Sequence, residues 1–225
     1  MPLLDEILKE LKKAIRISEH DFIAYKVFRE NGSSFKTLIA TILSQNTREN
    51  NAFKAYEQLE KSIGLDPPKI IEAPLDKIAE TIKPAGLYKL KAKAIKEVAK
   101  KFPREEDLTQ LLESKDPGRI REALMNIPGV GLKTVDVLLV NYGYPVIPLD
   151  THIQRVARRL GIADKGDNYL NIQQKLMTKA SPENFLELHL YLIKLGRLYC
   201  HANKPACSKC PVNTYCKYFK KTSNF

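Results

Sequence analysis

Apolar residues recur along most of this chain at intervals of three and four, the spacing that gathers them on one face of a helix. No segment sustains the strict alternation of a half-buried strand, so the pattern predicts an all-α protein. Helices are expected at about 3–15, 20–30, 35–44, 48–63, 88–102 and 106–114, with short ones near 68–72 and 75–83 after the Pro67-Pro68 break. Ser33 and Ser34 are the candidate caps of the third. A pair at 118–126 and 132–142 is joined by Ile127-Pro128-Gly129-Val130-Gly131. After the turn from Gly143 to Pro148 come helices at 151–161, 168–179 and 183–199, then a cysteine-bounded loop. Repeats, low-complexity tracts and Gly/Ser linkers are absent from the sequence, and Pro145 to Pro148 is the best late boundary.

The 225 residues, 44% apolar and 28% charged, suffice for one large or two small domains with a full core. Lys and Arg number 37 against 26 Asp and Glu, a net charge of +11. Such a surplus favours a polyanionic partner, although charge alone also fits a protein that is merely basic. No apolar run reaches the roughly 18 residues of a membrane span. Asp5 and Glu6 stand where a leader would be basic or apolar, so no targeting segment, no membrane partner and an intracellular, cytoplasmic location are expected.

All four cysteines fall between 200 and 216, spaced Cys200-x6-Cys207-x2-Cys210-x5-Cys216. This is the reverse of a disulfide framework spread to staple a secreted fold, and four thiolates so close can wrap one metal centre. Structural zinc usually takes two short knuckles, whereas here one short gap lies between two longer ones. Spacing alone therefore favours an iron–sulfur cubane over zinc by roughly two to one.

Chemistry is also suggested in three other places. In the 127–134 segment two alternate glycines allow a tight turn and leave backbone amides facing outward at a helix start, a cradle for phosphate; an ordinary glycine turn is the alternative. Lys133 sits in the first turn of that helix, where the dipole disfavours a cation and so favours the neutral, nucleophilic amine. Asp150 precedes the helix at 151 and on its own reads more readily as a cap than as a catalytic carboxylate. The polar stretch Ser44-Gln45-Asn46-Thr47-Arg48 between two apolar helices reads as a loop, or as amides that enter a DNA stack beside an unpaired base.

Three motifs in order carry a resemblance: Pro128-Gly129-Val130-Gly131-x-Lys133-Thr134, Asp150-Thr151-His152-x-x-Arg155-Val156, and the 6-2-5 cysteine spacing. With Phe35-x-x-Leu38-Ile39-Ala40-x-Ile42-Leu43-Ser44 they make nearly the whole chain resemble the endonuclease III family of helix–hairpin–helix DNA glycosylases. The resemblance implies a six-helix barrel at 27–144 and a second helical domain from 1–26 and 145–225, with a DNA groove between them. It implies Lys133 as nucleophile, Asp150 as catalytic carboxylate, and a [4Fe-4S] cluster on Cys200, Cys207, Cys210 and Cys216. DNA contacts are implied at Gln45, Asn46, Gly129, Val130, Gly131, Thr134, Arg197 and Lys204, with either Gln45 or Asn46 filling the gap left by a flipped base. Val135 and Asp136 depart from the smaller, neutral residues of the family, which would narrow or recharge the pocket.

The expected activity is that of a monomeric bifunctional enzyme. It would act on duplex DNA bearing damaged bases or abasic sites, remove oxidised pyrimidines and nick the strand by β-elimination. The alternatives are a monofunctional mismatch glycosylase acting on uracil, thymine or adenine, and a DNA-binding iron–sulfur protein without catalysis.

Overall fold

The computed structural model describes residues 1–222, which form helices and no strand. Fourteen α-helices follow one another among the described residues. They are α1 (Leu3–Ala14), α2 (Ile23–Asn31), α3 (Ser34–Ser44), α4 (Glu49–Ser62), α5 (Pro67–Glu72), α6 (Leu75–Thr81) and α7 (Tyr88–Lys101). The remainder are α8 (Glu105–Glu113), α9 (Pro117–Met125), α10 (Leu132–Asn141), α11 (Thr151–Leu160), α12 (Tyr169–Met177), α13 (Phe185–Leu198) and α14 (Lys217–Thr222). Each helix expected from periodicity is present, its ends shifted by a few residues. The short α14 after the last cysteine was not expected. Ser33 rather than Ser34 caps α3, its hydroxyl accepting from Lys36 N at 3.1 Å.

The chain divides into two compact units, one of residues Ser18–Tyr144 and the other of Met1–Ile17 with Pro145–Phe225. The first border departs from the expected one at 26/27. Residues 18–26 go with the middle of the chain because α2 packs along α3 and Ile23 N donates to the Glu49 carboxylate at the head of α4, 2.8 Å away.

In the 18–144 unit, α3 is apolar nearly all round, and Phe35, Leu38, Ile39, Ile42 and Leu43 are each 0% exposed. A helix so patterned has to be surrounded. α2, α4, α8 and α10 supply that shell. α10 is buried along its length from Thr134 to Asn141. Inside it Asp136, fully buried, meets Arg121 of α9 at 2.8 Å. The carboxylate expected to recharge the pocket instead clamps the two hairpin helices together. Val135, 0% exposed, is likewise core.

In the other unit, α13 packs against α1 and α11. The amphipathic α1 contributes Leu4, Ile7, Leu8 and Leu11 to the core. The Asp5 carboxylate fixes the approach of α1 by accepting from Ser181 Oγ at 2.6 Å and Asn184 Nδ2 at 3.0 Å, just ahead of α13. No helix among the described residues is long and apolar enough to cross a membrane.

The Arg121–Asp136 pair gives an asymmetric expectation in denaturant unfolding. Arg121→Met leaves a carboxylate in the core without its guanidinium and should cost about 3–5 kcal/mol, whereas Asp136→Asn leaves an arginine that can reach water and should cost about 1–3 kcal/mol.

Candidate active site and nucleic-acid interface

The turn between α9 and α10 is built on one glycine. Gly129 has φ +88°, a conformation L side chains rarely adopt, and a Cβ there would stand 3.0 Å from the Ala94 Cβ of α7. Gly131 is different: its backbone is extended (φ −99°, ψ 174°) and a Cβ would meet nothing within 4 Å. The expectation that both glycines are needed for the turn is corrected to Gly129 alone. Val130 is 4% exposed and its amide donates to Ile127 O at 3.0 Å, so it closes the turn and offers a ligand neither side chain nor amide.

Gly131 is the N-cap residue of α10, and its carbonyl accepts from Thr134 N at 2.9 Å. The amides of Leu132 and Lys133 lie ahead of any intrahelical carbonyl and point out from the positive end of the helix. Lys133 is exposed beside them, with no ion pair among the described residues. An amine, two unspent amides and a helix N-terminus together suit an anionic, electrophilic substrate.

The end of α3 is tied to this hairpin. Gln45 Nε2 donates to Gly129 O at 3.1 Å and to Thr134 Oγ1 at 2.9 Å. The Gln45 amide is thus spent within the fold, and Thr134, 4% exposed, is spent with it. Asn46 is exposed and sits at φ 49°, a left-handed conformation that asparagine tolerates better than most residues. Of the two amides, only Asn46 is presented to a partner.

Asp150 is in the other unit and does act as a cap: its Oδ1 accepts from Ile153 N at 2.8 Å at the head of α11. Its Oδ2 makes no hydrogen bond among the described residues, so the cap and a second role are compatible. Two residues on, His152 packs so closely on α13 that a Cβ at Gly196 would lie 2.6 Å from its Cβ. Burial lowers the His152 imidazole below its ordinary value, Arg155 and Arg197 add to this, and Asp150 opposes it. Arg197, exposed in the last turn of α13, therefore lies within electrostatic reach of the Asp150 end of α11.

Arg155 donates to Cys200 O at 2.7 Å, to Gly196 O at 3.1 Å and pairs with His152 Nδ1 at 3.0 Å. Arg159 donates to Cys200 Sγ at 3.2 Å and to the carbonyls of His201 and Ala202. α11 thereby carries a carboxylate at its head and holds the cysteine loop with its flank. All four cysteines line one cavity with Arg159, Tyr199, Asn213, Tyr218 and Phe219. Burial pushes the Cys210 thiol up to about 11 and raises Cys207 as well, so a metal there has protons to displace. Lys204, exposed at φ 48°, stands on the long gap of this loop ahead of Pro205.

Two features escaped the sequence reading. Lys91 is 3% exposed, and Leu87 is an apolar side chain 53% exposed at φ 48°. Pro84 and Gly86 were the available signals for a turn there; periodicity gave none for Lys91.

The glycine turn with an exposed lysine in the first turn of the following helix defines the class as a helix–hairpin–helix protein. Residues 39–182 match the model of the HhH-GPD superfamily of base excision DNA repair proteins. Among curated relatives, the chain is 35% identical over 221 residues to the endonuclease III of Sulfolobus acidocaldarius, covering 97% of each chain. It is 32% identical to that of Bacillus subtilis over 197 residues, 85% of this chain and 84% of the relative. Among solved structures, a non-covalent endonuclease III–DNA complex superposes with a TM-score of 0.73 at 27% identity and full coverage of both chains. A trapped endonuclease III–DNA covalent intermediate superposes at 0.71 with 29% identity, over 99% of this chain and 100% of that one. The chain belongs to the HhH-GPD superfamily of base excision DNA repair proteins.

The two hairpin glycines should separate in experiment. Gly129→Ala forces an L residue into a left-handed turn against Ala94 and should cost about 1–2 kcal/mol in unfolding and weaken duplex binding, while Gly131→Ser, which puts a favourable N-cap residue into open space, should stay within about 0.5 kcal/mol.

Proposed function

We propose that Lys133 and Asp150 carry the chemistry of this chain, a bifunctional DNA glycosylase and abasic-site lyase of base excision repair. The observation that carries the reading is the exposed amine of Lys133 in a first helical turn whose amides are free to take a phosphate. The substrate is duplex DNA, and the reacting nucleotide is extrahelical, because C1′ is out of reach of a side-chain amine inside the stack. A trapped covalent intermediate with DNA in a structural relative supports the same class of chemistry.

In this mechanism Lys133 Nζ attacks C1′ of the damaged nucleotide. The N-glycosidic bond breaks, and the base leaves with the bonding electrons and takes up a proton. The amine gives up its protons as the sugar opens to a Schiff base. Loss of the C2′ proton then expels the 3′ phosphate by β-elimination. The uncommitted oxygen of Asp150 stabilises the positive charge that develops at the sugar. Asn46 and the exposed Leu87 are the side chains available to enter the stack where the base has left, since apolar wedges and amides both serve at unstacked steps. Among damaged bases, oxidised pyrimidines are the proposed substrates, and the proposed working state is a monomer.

A [4Fe-4S] cluster fits the cysteine loop better than zinc. Around a single zinc the thiolates would lie roughly 3.8 Å apart, given Zn–S bonds of about 2.3 Å. Among the described residues no group of three His, Cys, Asp or Glu is placed to hold one metal ion, yet four cysteines line one cavity. When bound, such a cluster cross-links the loop; the residues of this chain then do the rest. Arg155 and Arg159 anchor the loop to α11, and Lys204 on its long gap is held out for the phosphate backbone.

Lys133→Gln should abolish both borohydride trapping and strand nicking while lesion-duplex binding persists; a trapped adduct formed at the wild-type rate would sink the assignment. Asp150→Asn keeps a capping oxygen and removes only charge, so base release should slow with the unfolding midpoint nearly unchanged. For the cluster, anaerobically purified protein should contain iron and sulfide, and Cys207→Ser should lose them. Stoichiometric zinc without sulfide is the result that refutes it. Lys204→Gln should reduce the slope of log K against log salt by about 0.9 in magnitude, the share of one phosphate contact.

A further inference from the structure

Lys91 lies on α7, 3% exposed, and among the described residues no carboxylate pairs with it. Its Nζ donates instead to two main-chain carbonyls, Leu43 O at 2.9 Å and Ala85 O at 2.8 Å. A buried ammonium without a counter-ion is unfavourable, and burial pushes this one down to about 8. Partial compensation comes from its position. Leu43 is in the last turn of α3, where carbonyls lack intrahelical partners and carry the negative end of the helix dipole.

Each of the two carbonyls immediately precedes a segment with an unusual backbone. After Leu43 come Ser44, Gln45 and Asn46, the last at φ 49°. After Ala85 come Gly86 and Leu87, at φ 66° and 48°. Left-handed residues other than glycine persist only where the surroundings hold them. Lys91 also begins its own hydrogen bond with the second segment, its amide donating to Leu87 O at 3.0 Å. One side chain therefore reaches both segments, which are distant in sequence and carry the two exposed side chains assigned above to the DNA stack.

We propose that Lys91 is a positioning residue: its buried amino group staples the Gln45–Asn46 segment to the Gly86–Leu87 turn, so that Asn46 and Leu87 meet the duplex as a pre-set pair when a base is extruded. The energetic sense is pre-organisation. Strain in the two turns is met during folding rather than at the moment of flipping. The proposal rests on the reading of Asn46 and Leu87 as stack-entering residues, and its structural half can be tested apart from that reading.

The test uses the full-length protein and Lys91→Met, which keeps the stem and removes the two donors. Hydrogen exchange is followed at residues 43–48 and 84–89, with α9 (Pro117–Met125) as internal reference. Excision of a paired oxidised pyrimidine is compared with incision of an abasic site under single-turnover conditions. Exchange in both segments should quicken by about tenfold or more with α9 unchanged. Paired-lesion excision should fall about tenfold further than abasic incision, because an abasic nucleotide is already partly unstacked. Unchanged exchange in either segment overturns the staple, as does equal quickening in all three, which would make Lys91 an ordinary core residue. Quickened exchange confined to the two segments, with equal losses on both substrates, upholds the staple and rejects the stack-entering role. If Lys91→Met does not fold, Lys91→Leu, which likewise carries no donor, is read against the same outcomes.

Discussion

The backbone at Gly129 is the constraint on which the 18–144 unit's functional surface depends. Its left-handed turn lies against Ala94, leaving no room for a side chain, and it is what lets α10 start with its amides facing out. Once that turn is made, four further contacts lock it. Gln45 bonds Gly129 O and Thr134 Oγ1, Val130 closes on Ile127 O, and the pairing of Arg121 with the buried Asp136 holds α9 to α10. Lys133 inherits its place from all of these. It needs no partner of its own, and a reactive amine is better for having none.

In the other unit α11 plays the corresponding part. Its head is capped by one oxygen of Asp150, its first turn is pressed on Gly196 of α13 through His152, and its flank holds the cysteine loop through Arg155 and Arg159. A change in the loop is therefore transmitted to the same helix that carries the carboxylate. The close approach at Gly196 has the logic seen at Gly129: a missing side chain marks where two elements must touch.

Structural duties divide the polar residues that read alike as chemistry in the sequence. Asp150 is a cap and the proposed carboxylate, because the two oxygens of one side chain can be divided between the roles. Gln45 looked interchangeable with Asn46 and is not: an amide already donating to the hairpin is a strut, while the exposed one at φ 49° is available. Asp136 looked like a charge in the pocket and is a clamp in the core.

The sequence by itself determined the helices, the hairpin, the grouping of the four cysteines and the candidate lysine at the head of α10, because each is encoded within a short window. Helical periodicity, a Gly-x-Gly turn ahead of a helix start, and four thiols in one loop need no knowledge of what packs against them. Tertiary structure decided everything that depends on a partner far along the chain. Ala94 makes Gly129 obligatory and leaves Gly131 replaceable, Glu49 draws residues 18–26 into the middle unit, and Arg121 takes Asp136 out of the pocket. Lys91 is the extreme case. In sequence it is one lysine among several on an amphipathic helix, and only the meeting of two chain segments at its amino group turns it into a buried donor, since burial is a property of neighbours and not of the residue.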